Sequence, residues 1–154
     1  MVVIGVSLAS AIVANAQSAG SPRLSPDLQA HVKSERFQAV TSVRGLPLGV
    51  RDAMRALWGT AVLDIVDPDG SQPSDNGPKQ SNRRLVAAGC SSDHCLISYE
   101  LGGRTRSWRV VLFHWTPSDT RFEWGGTVPR RLGTLEEALN TALTGTIEGP
   151  TTSW

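Results

Sequence analysis

The sequence predicts an α+β fold in which a central antiparallel sheet, connected as a meander, is flanked by helices. Two observations carry this prediction. Helical patterns with capping residues lie towards both ends of the chain, and a run of strand patterns separated by turn signals lies between them. Helices kept apart from antiparallel strands in this way are typical of α+β domains. The 154 residues suit one domain, and 40% hydrophobic with 19% charged residues is ordinary for a globular protein.

The first helix is predicted within residues 24–40. Ser25 is a suitable N-cap and Pro26 fits the first helical turn. Gly45 and Pro47 follow the segment and end it. An imperfect apolar stripe along the segment supports the prediction, and its members are Leu28, Val32, Phe37 and Val40.

Two more helices are predicted further along the chain. The segment VRDAMRALW precedes Gly59, a residue type that commonly ends a helix. The segment LEEALNTAL follows Thr134, which forms a capping box with Glu137, and Gly145 ends it.

Five segments are predicted to be strands because they are apolar or alternate between apolar and polar residues. Gly102-Gly103 is the signal of a two-residue hairpin, and residues 116–119 read as a turn. Residues 67–82 are predicted to form a long polar surface loop, and the spacing of its three Asp residues does not match a calcium-binding EF-hand. The strands are residues 60–66, 83–89, 96–101, 104–115 and 120–124.

Residues 1–16 are predicted to be a cleaved signal peptide. The apolar run at residues 2–13 is too short to span a bilayer, and an A-x-A cleavage pattern ends at Ala16. Residues 17–24 are then a flexible lead-in and residues 25–154 a single domain. The protein is expected to be periplasmic or secreted, without a membrane attachment after cleavage.

The charge pattern argues against two classes of partner. The formal net charge is +1, and no basic run of the kind that follows phosphates is present. Neither nucleic acid nor an anionic membrane surface is therefore expected as a partner.

The two cysteines, Cys90 and Cys95, are the most informative residues. In an oxidising compartment an even number of cysteines predicts a disulfide, here one that closes a ring of six residues. So small a ring adds only about 2 kcal/mol of stability, so its main effect is to fix the local shape of the loop. A fixed loop loses less entropy when it binds, which makes it a candidate partner-binding element. The residues held in the ring are Ser91, Ser92, Asp93 and His94.

No catalytic residue is predicted. The chain lacks a G-x-S-x-G elbow, a Gly-rich phosphate loop and an H-E-x-x-H motif, and no pair of carboxylates can be argued from spacing. His31 is expected on the surface of the first helix, and His114 is expected to be half-buried in a central strand. An enzyme stays a third hypothesis, which needs a pocket that unites His114 with a carboxylate.

A zinc site of Cys90, His94, Cys95 and His114 is the alternative use of the cysteines. It is not favoured because neighbours in sequence such as His94 and Cys95 seldom both bind one tetrahedral ion. The secretory leader also favours a disulfide over thiolate ligands. No metal ion and no cofactor are therefore predicted.

The chain resembles the Ivy family, which are periplasmic inhibitors of vertebrate (c-type) lysozyme. The family carries a disulfide-closed C-x4-C loop with a His, usually Cys-Lys-Pro-His-Asp-Cys, and Cys90–Cys95 has the same ring size. RFQAVTSVRGLPLGV resembles the family's first helix and Leu-Pro turn. VVLFHW followed by FEW is similar to its later strand pair, and LNTALTGTIEG to its C-terminal helix. The likeness runs in the same order from about Phe37 to Gly149.

The resemblance implies a fold and a function. The family has a central antiparallel sheet with helices on both sides and is commonly a homodimer. Its loop enters the lysozyme cleft, where the His contacts the catalytic carboxylates. Carried over, His94 would block the cleft of a c-type lysozyme or a related glycan-cleaving enzyme, with Asp93 and Ser92 beside it and the disulfide as a clamp.

The loop also departs from the family pattern. The order His-Asp is reversed to Asp93-His94, and Ser91 and Ser92 replace Lys and Pro. These departures motivate an alternative in a different class, a periplasmic binding or structural protein of the same fold that does not inhibit lysozyme.

Overall fold

In a computed structural model that describes residues 23–70, 82–145, 147–148 and 154, the chain forms three α-helices and a five-stranded sheet. The predicted α+β class is confirmed. The elements are α1 (Pro26–Ser34), β1 (Gln38–Ala39), a 3₁₀ turn (Val43–Gly45), α2 (Leu48–Trp58), β2 (Arg83–Cys90), β3 (His94–Leu101), β4 (Ser107–Thr116), β5 (Asp119–Val128) and α3 (Leu135–Thr144).

The sheet is an antiparallel meander in the order β1-β2-β3-β4-β5. The central strand β3 is buried along almost its whole length, because both of its faces are covered. Its side chains alternate between the faces, so Ile97 and Tyr99 point one way and Leu96 the other.

Two hydrophobic clusters lie on opposite faces of this sheet. The helix α2 covers one face through Val50 and Met54, which are fully buried. Helices α1 and α3 cover the other face, so the sheet is the middle of three layers. The principal residues of the α2 face are Leu46, Leu85, Ile97, Tyr99, Val111 and Phe113, and those of the α1/α3 face are Val32, Leu96, Val110, Leu112, Trp124 and Leu132.

The capping residues act as predicted. The N–H of Leu28 donates to Ser25 Oγ at 3.3 Å, and the N–H of Glu137 donates to Thr134 Oγ1 at 3.1 Å. Gly59 and Gly145 end α2 and α3 in the left-handed conformation, with φ of 66° and 71°.

The first helix is shorter than predicted. It ends at Ser34, and Glu35 is already extended with φ −80° and ψ 154°. The apolar stripe fails there because Glu35 and Arg36 occupy the next turn. Phe37 packs in the α1/α3-face cluster and Val40 in the α2-face cluster, an arrangement that an extended chain permits and one helical face does not.

Two strand predictions are wrong in detail. Residues 60–66 form no strand, and only Val66 forms an isolated parallel bridge with Arg84, while Ile65 is buried in the α2-face cluster. The predicted two-residue hairpin at Gly102-Gly103 is a longer connection, since Leu101 pairs with Ser107 across it. Gly103 adopts φ 137° inside that connection, so it serves a wider loop than the sequence signal indicates.

Among the described residues, no helix is long and apolar enough to cross a membrane. The predicted signal peptide, most of the lead-in and residues 71–81 of the polar loop lie outside the described residues.

Candidate functional site

The candidate site is the loop between β2 and β3. Cys90 and Cys95 face each other across the two strands, and the predicted disulfide is present with Sγ atoms 2.05 Å apart. The loop lies at the end of the sheet at which β4 ends and β5 begins. It also lies beside the C-terminal end of α1.

Ser91 organises this loop from inside. Its N–H donates to the carbonyl of His94 at 2.8 Å, and its hydroxyl oxygen accepts from the N–H groups of His94 at 2.9 Å and Asp93 at 3.2 Å. Its hydroxyl also donates to the carboxylate of Glu35. The loop therefore carries its own hydrogen bonds and is tied to the end of α1 as well.

His94 lies inside the domain and not at the tip of the loop. Its side chain is 3% exposed and lies between two carboxylates. Nδ1 is 2.6 Å from Glu35 Oε1, and Nε2 is 2.8 Å from Glu123 Oε2. The expectation of a displayed imidazole is thus corrected: His94 is the first residue of β3 and its ring points to the α1/α3 side.

Both bonds to His94 need the charged ring. A carboxylate can only accept, so the two nitrogens donate at the same time only in the imidazolium form. Burial opposes this charge, but the hydrogen bonds and negative charges of Glu123 and Glu35 outweigh it and raise the pKa of His94 above 6.5. Burial also opposes ionisation of Glu123. The hydrogen bond from His94 and the positive charges of His94 and Arg121 outweigh the burial, so the pKa of Glu123 is lowered below 4.5.

A β-bulge brings Glu123 to this position. Leu112 pairs with Trp124 and Phe113 with Phe122, which leaves Glu123 as the extra residue of β5. Phe122 consequently packs in the α2-face cluster and Trp124 in the α1/α3-face cluster, although they are two residues apart. The bulge turns the Glu123 carboxylate to the His94 side, where Arg121 Nη2 also contacts it at 3.1 Å.

His31 and Asp93 complete the exposed side of the site. His31 Nε2 lies 2.9 Å from Glu35 Oε1 and 3.2 Å from Asp93 Oδ2. His31 is 51% exposed, as its predicted surface position requires, and the Asp93 side chain is 41% exposed. The Asp93 carbonyl accepts from the N–H of Trp115 at 2.8 Å, which ties the loop to β4.

His114 is half-buried on the other side of His94, as predicted. Its ring meets the His94 ring edge-on with centroids 5.5 Å apart, and its Nε2 is 3.7 Å from Asp119 Oδ2. Its side chain is 20% exposed. The zinc set that includes both cysteines is not available in this state, because the two sulfurs are bonded to each other.

The residues around His94 form what we call the imidazole–carboxylate cluster, defined as His31, Glu35, His94, His114 and Glu123. The sequence had indicated the three histidines separately and neither glutamate. The spacing of His31 and Glu35 by four residues was a local signal, since such a pair lies on one side of a helix. Glu123 left no such signal, because the bulge breaks the alternation of β5.

No protein-family profile, no curated protein and no solved structure matches the chain.

Proposed function

We propose that this protein is a secreted or periplasmic inhibitor of a c-type lysozyme that binds the enzyme through the loop Cys90–Cys95. The observation that carries the proposal is an exposed loop tip whose backbone is fixed from several directions. The disulfide closes its ends, the Ser91 hydroxyl bonds within it, and the Trp115 N–H holds Asp93.

Such a tip is suited to protein binding. A loop that already has its bound shape loses little conformational entropy on docking, so more of the contact energy appears as affinity. The ion pairs of His94 with Glu35 and Glu123 lie directly beneath the tip and hold the base of β3 in place. In this arrangement His94 supports the loop from inside.

The exposed groups then make the contact. Ser92 is exposed, and the carboxylate of Asp93 lies next to the exposed ring of His31. These side chains offer hydrogen-bond donors and acceptors, which a polar sugar-binding cleft can pair with. The resemblance to the Ivy family is the reason for choosing a c-type lysozyme as the target.

The burial of His94 also favours a second candidate. A partner that recognises the tip would use the same loop even though no imidazole of this protein enters its active site. The protein would then be a binding module that does not inhibit lysozyme. The two candidates differ in whether lysozyme activity falls when the protein is added.

The test is a lysis assay in which the oxidised chain from Gln17 to Trp154 is titrated against a c-type lysozyme acting on bacterial cell walls. Ser92→Arg places a long, positively charged side chain on the tip. It is expected to weaken inhibition at least tenfold, because the longer side chain clashes with the walls of the cleft. Thr105→Arg is the matched control, because Thr105 is exposed in the β3–β4 connection at the opposite end of the sheet.

Inhibition by the wild type that is lost in Ser92→Arg and kept in Thr105→Arg is the expected result. Equal inhibition by both variants would remove the loop from the interface. No inhibition by the wild type, at a concentration where circular dichroism shows a folded protein, would reject the lysozyme target in favour of the second candidate.

A further inference from the structure

The exposed side of the imidazole–carboxylate cluster brings metal-ligand atoms together. His31 Nε2, Glu35 Oε1 and His94 Nδ1 all lie within 4.8 Å of one another. Asp93 Oδ2 lies 3.2 Å from His31 Nε2, so a fourth donor adjoins the same space. Two elements supply these groups: the end of α1 supplies His31 and Glu35, and the disulfide-closed loop supplies the other two.

The spacing is close to that of a tetrahedral site. With bonds of 2.0–2.2 Å, tetrahedral ligand atoms are about 3.3 Å apart. The distances here are 2.6 Å from Glu35 to His94 and 2.9 Å from Glu35 to His31. Outward shifts of about 0.7 Å between Glu35 and His94 and about 0.4 Å between Glu35 and His31 would therefore admit an ion, and the half-exposed side chain of His31 has room for the second of them.

The second nitrogen of His94 has the partner that metal-binding histidines usually have. Metal-bound imidazoles commonly donate their other N–H to a carboxylate, which fixes the ring and its tautomer. Glu123 Oε2 is in this position, 2.8 Å from Nε2. Nδ1 is then the ligand atom, and its proton passes to solvent when an ion binds.

The donor set indicates the class of ion. Two imidazoles with two carboxylates suit zinc and similar divalent transition metals, whereas magnesium and calcium prefer oxygen ligands alone. The charges also fit, since Glu35 and Asp93 together balance one dication. Exposure of His31 gives the ion a path from solvent.

We propose that His31, Glu35, Asp93 and His94 form a binding site for a divalent ion of the zinc class, with Glu123 as the carboxylate that positions His94. The prediction of no metal site had considered the cysteines as ligands, and this set uses neither of them. The bound ion would join α1 to the loop tip. The inference does not depend on the target of the loop.

A second trio, His94, His114 and Glu123, competes for the same imidazole. It supplies three donors, and the nearby Asp119 is 3.7 Å from His114. The exposed set is favoured because the half-exposed His31 opens it to solvent and because Glu123 already serves His94 as a hydrogen-bond acceptor. The two sites predict opposite effects of removing His31 and His114.

The experiment uses untagged protein that has been stripped with a chelator and then titrated with Zn²⁺ in a calorimeter. Cobalt(II) is the spectroscopic probe, because tetrahedral Co²⁺ gives a strong visible absorption. The expected result is one ion per chain with half-saturation at about 1 µM or below. His31→Gln is expected to weaken binding at least tenfold and remove the tetrahedral cobalt spectrum, whereas His114→Gln keeps both.

Glu123→Gln tests the positioning role. It leaves the four ligands in place, so binding is expected to weaken by about tenfold without loss of the one-to-one stoichiometry. Binding that survives in His31→Gln and is lost in His114→Gln would overturn the proposal in favour of the buried trio. Wild-type protein that shows no saturation by about 100 µM Zn²⁺ would overturn both.

Discussion

The ion pair between His94 and Glu123 gives a stability prediction that can be worked out from the structure. The perturbation is Glu123→Gln, which keeps the size of the side chain and the acceptor for Nε2 but removes the charge. The two groups are 2.8 Å apart, with 3% and 11% of their side chains exposed. A hydrogen bond between charged groups contributes about 2 kcal/mol, and a neutral one about 1 kcal/mol.

The pH dependence follows from the two shifted pKa values. Because the pKa of His94 is raised in the folded protein, its stabilisation is complete below pH 6.5 and is lost as the pH rises through the folded value. Because the pKa of Glu123 is lowered, its stabilisation is present above pH 4.5 and is lost as the pH falls through the folded value. The full effect of the pair is therefore expected between pH 4.5 and 6.5.

The measurement is urea unfolding of both proteins at about pH 5.5 and about pH 9, with a chelator present. Glu123→Gln is expected to lower the free energy of unfolding by about 1 kcal/mol at the lower pH, the difference between a charged and a neutral hydrogen bond, and by clearly less at the higher pH, where the imidazole is neutral. The matched control is Glu136→Gln on the exposed start of α3, which is expected to change stability by less than about 0.5 kcal/mol. An equal loss at both pH values would refute the reasoning, as would an NMR titration that places the His94 pKa below 6.5.

Three further predictions concern the disulfide, the only tyrosine and a crowded glycine. Replacing Cys90 and Cys95 with Ser is expected to lower the free energy of unfolding by about 2 kcal/mol with unchanged far-UV circular dichroism, and a collapsed spectrum would contradict this. Burial raises the pKa of Tyr99, so wild-type stability is expected to fall above pH 10 by up to about 1.4 kcal/mol per pH unit. Tyr99→Phe is expected to lose about 1 kcal/mol at neutral pH with the hydroxyl that accepts from Trp58, but its stability does not fall with this titration. The stability of the two proteins, measured by urea unfolding, should therefore converge above pH 10, and a constant difference between them would count against the reasoning. Gly125→Ala puts a Cβ 2.5 Å from a main-chain carbonyl and is expected to destabilise by about 3 kcal/mol, whereas Gly133→Ala, with no contact under 3.5 Å, should change stability by less than about 0.5 kcal/mol.

The fold was largely predictable because its signals are local. The caps at Ser25 and Thr134 and the glycines that end α2 and α3 act within one helical turn. The alternation of β3 and the turn between β4 and β5 also depend on neighbours in sequence. The predicted extent of α1 was wrong because Phe37 was assigned to an apolar stripe along the helix. In the structure Phe37 follows the end of the helix and packs in the α1/α3-face cluster.

The site was much less predictable because its partners are distant in the chain. His94 is 59 residues from Glu35 and 29 from Glu123, so no spacing rule relates them. The β-bulge at Glu123 decides which face its carboxylate takes, and a bulge leaves no mark in a pattern that is read by alternation. The disulfide was predictable because both cysteines lie in one hairpin and had no other partner in the sequence.

The position of His94 changes what the disulfide has to do. If the imidazole were displayed, the ring closed by Cys90 and Cys95 would be the main constraint on a mobile tip, and reduction would remove the binding shape. With His94 held inside by Glu35 and Glu123, the tip keeps a second constraint after reduction, and the Trp115 N–H supplies a third. If the loop binds the proposed target, reduction alone is therefore expected to weaken that binding by roughly tenfold. Reduction combined with Glu123→Gln is expected to weaken it by more than the product of the two separate effects, because each constraint compensates for loss of the other. A double-mutant cycle on partner affinity measures this coupling directly. Strictly additive effects would show that the buried ion pairs do not support the tip.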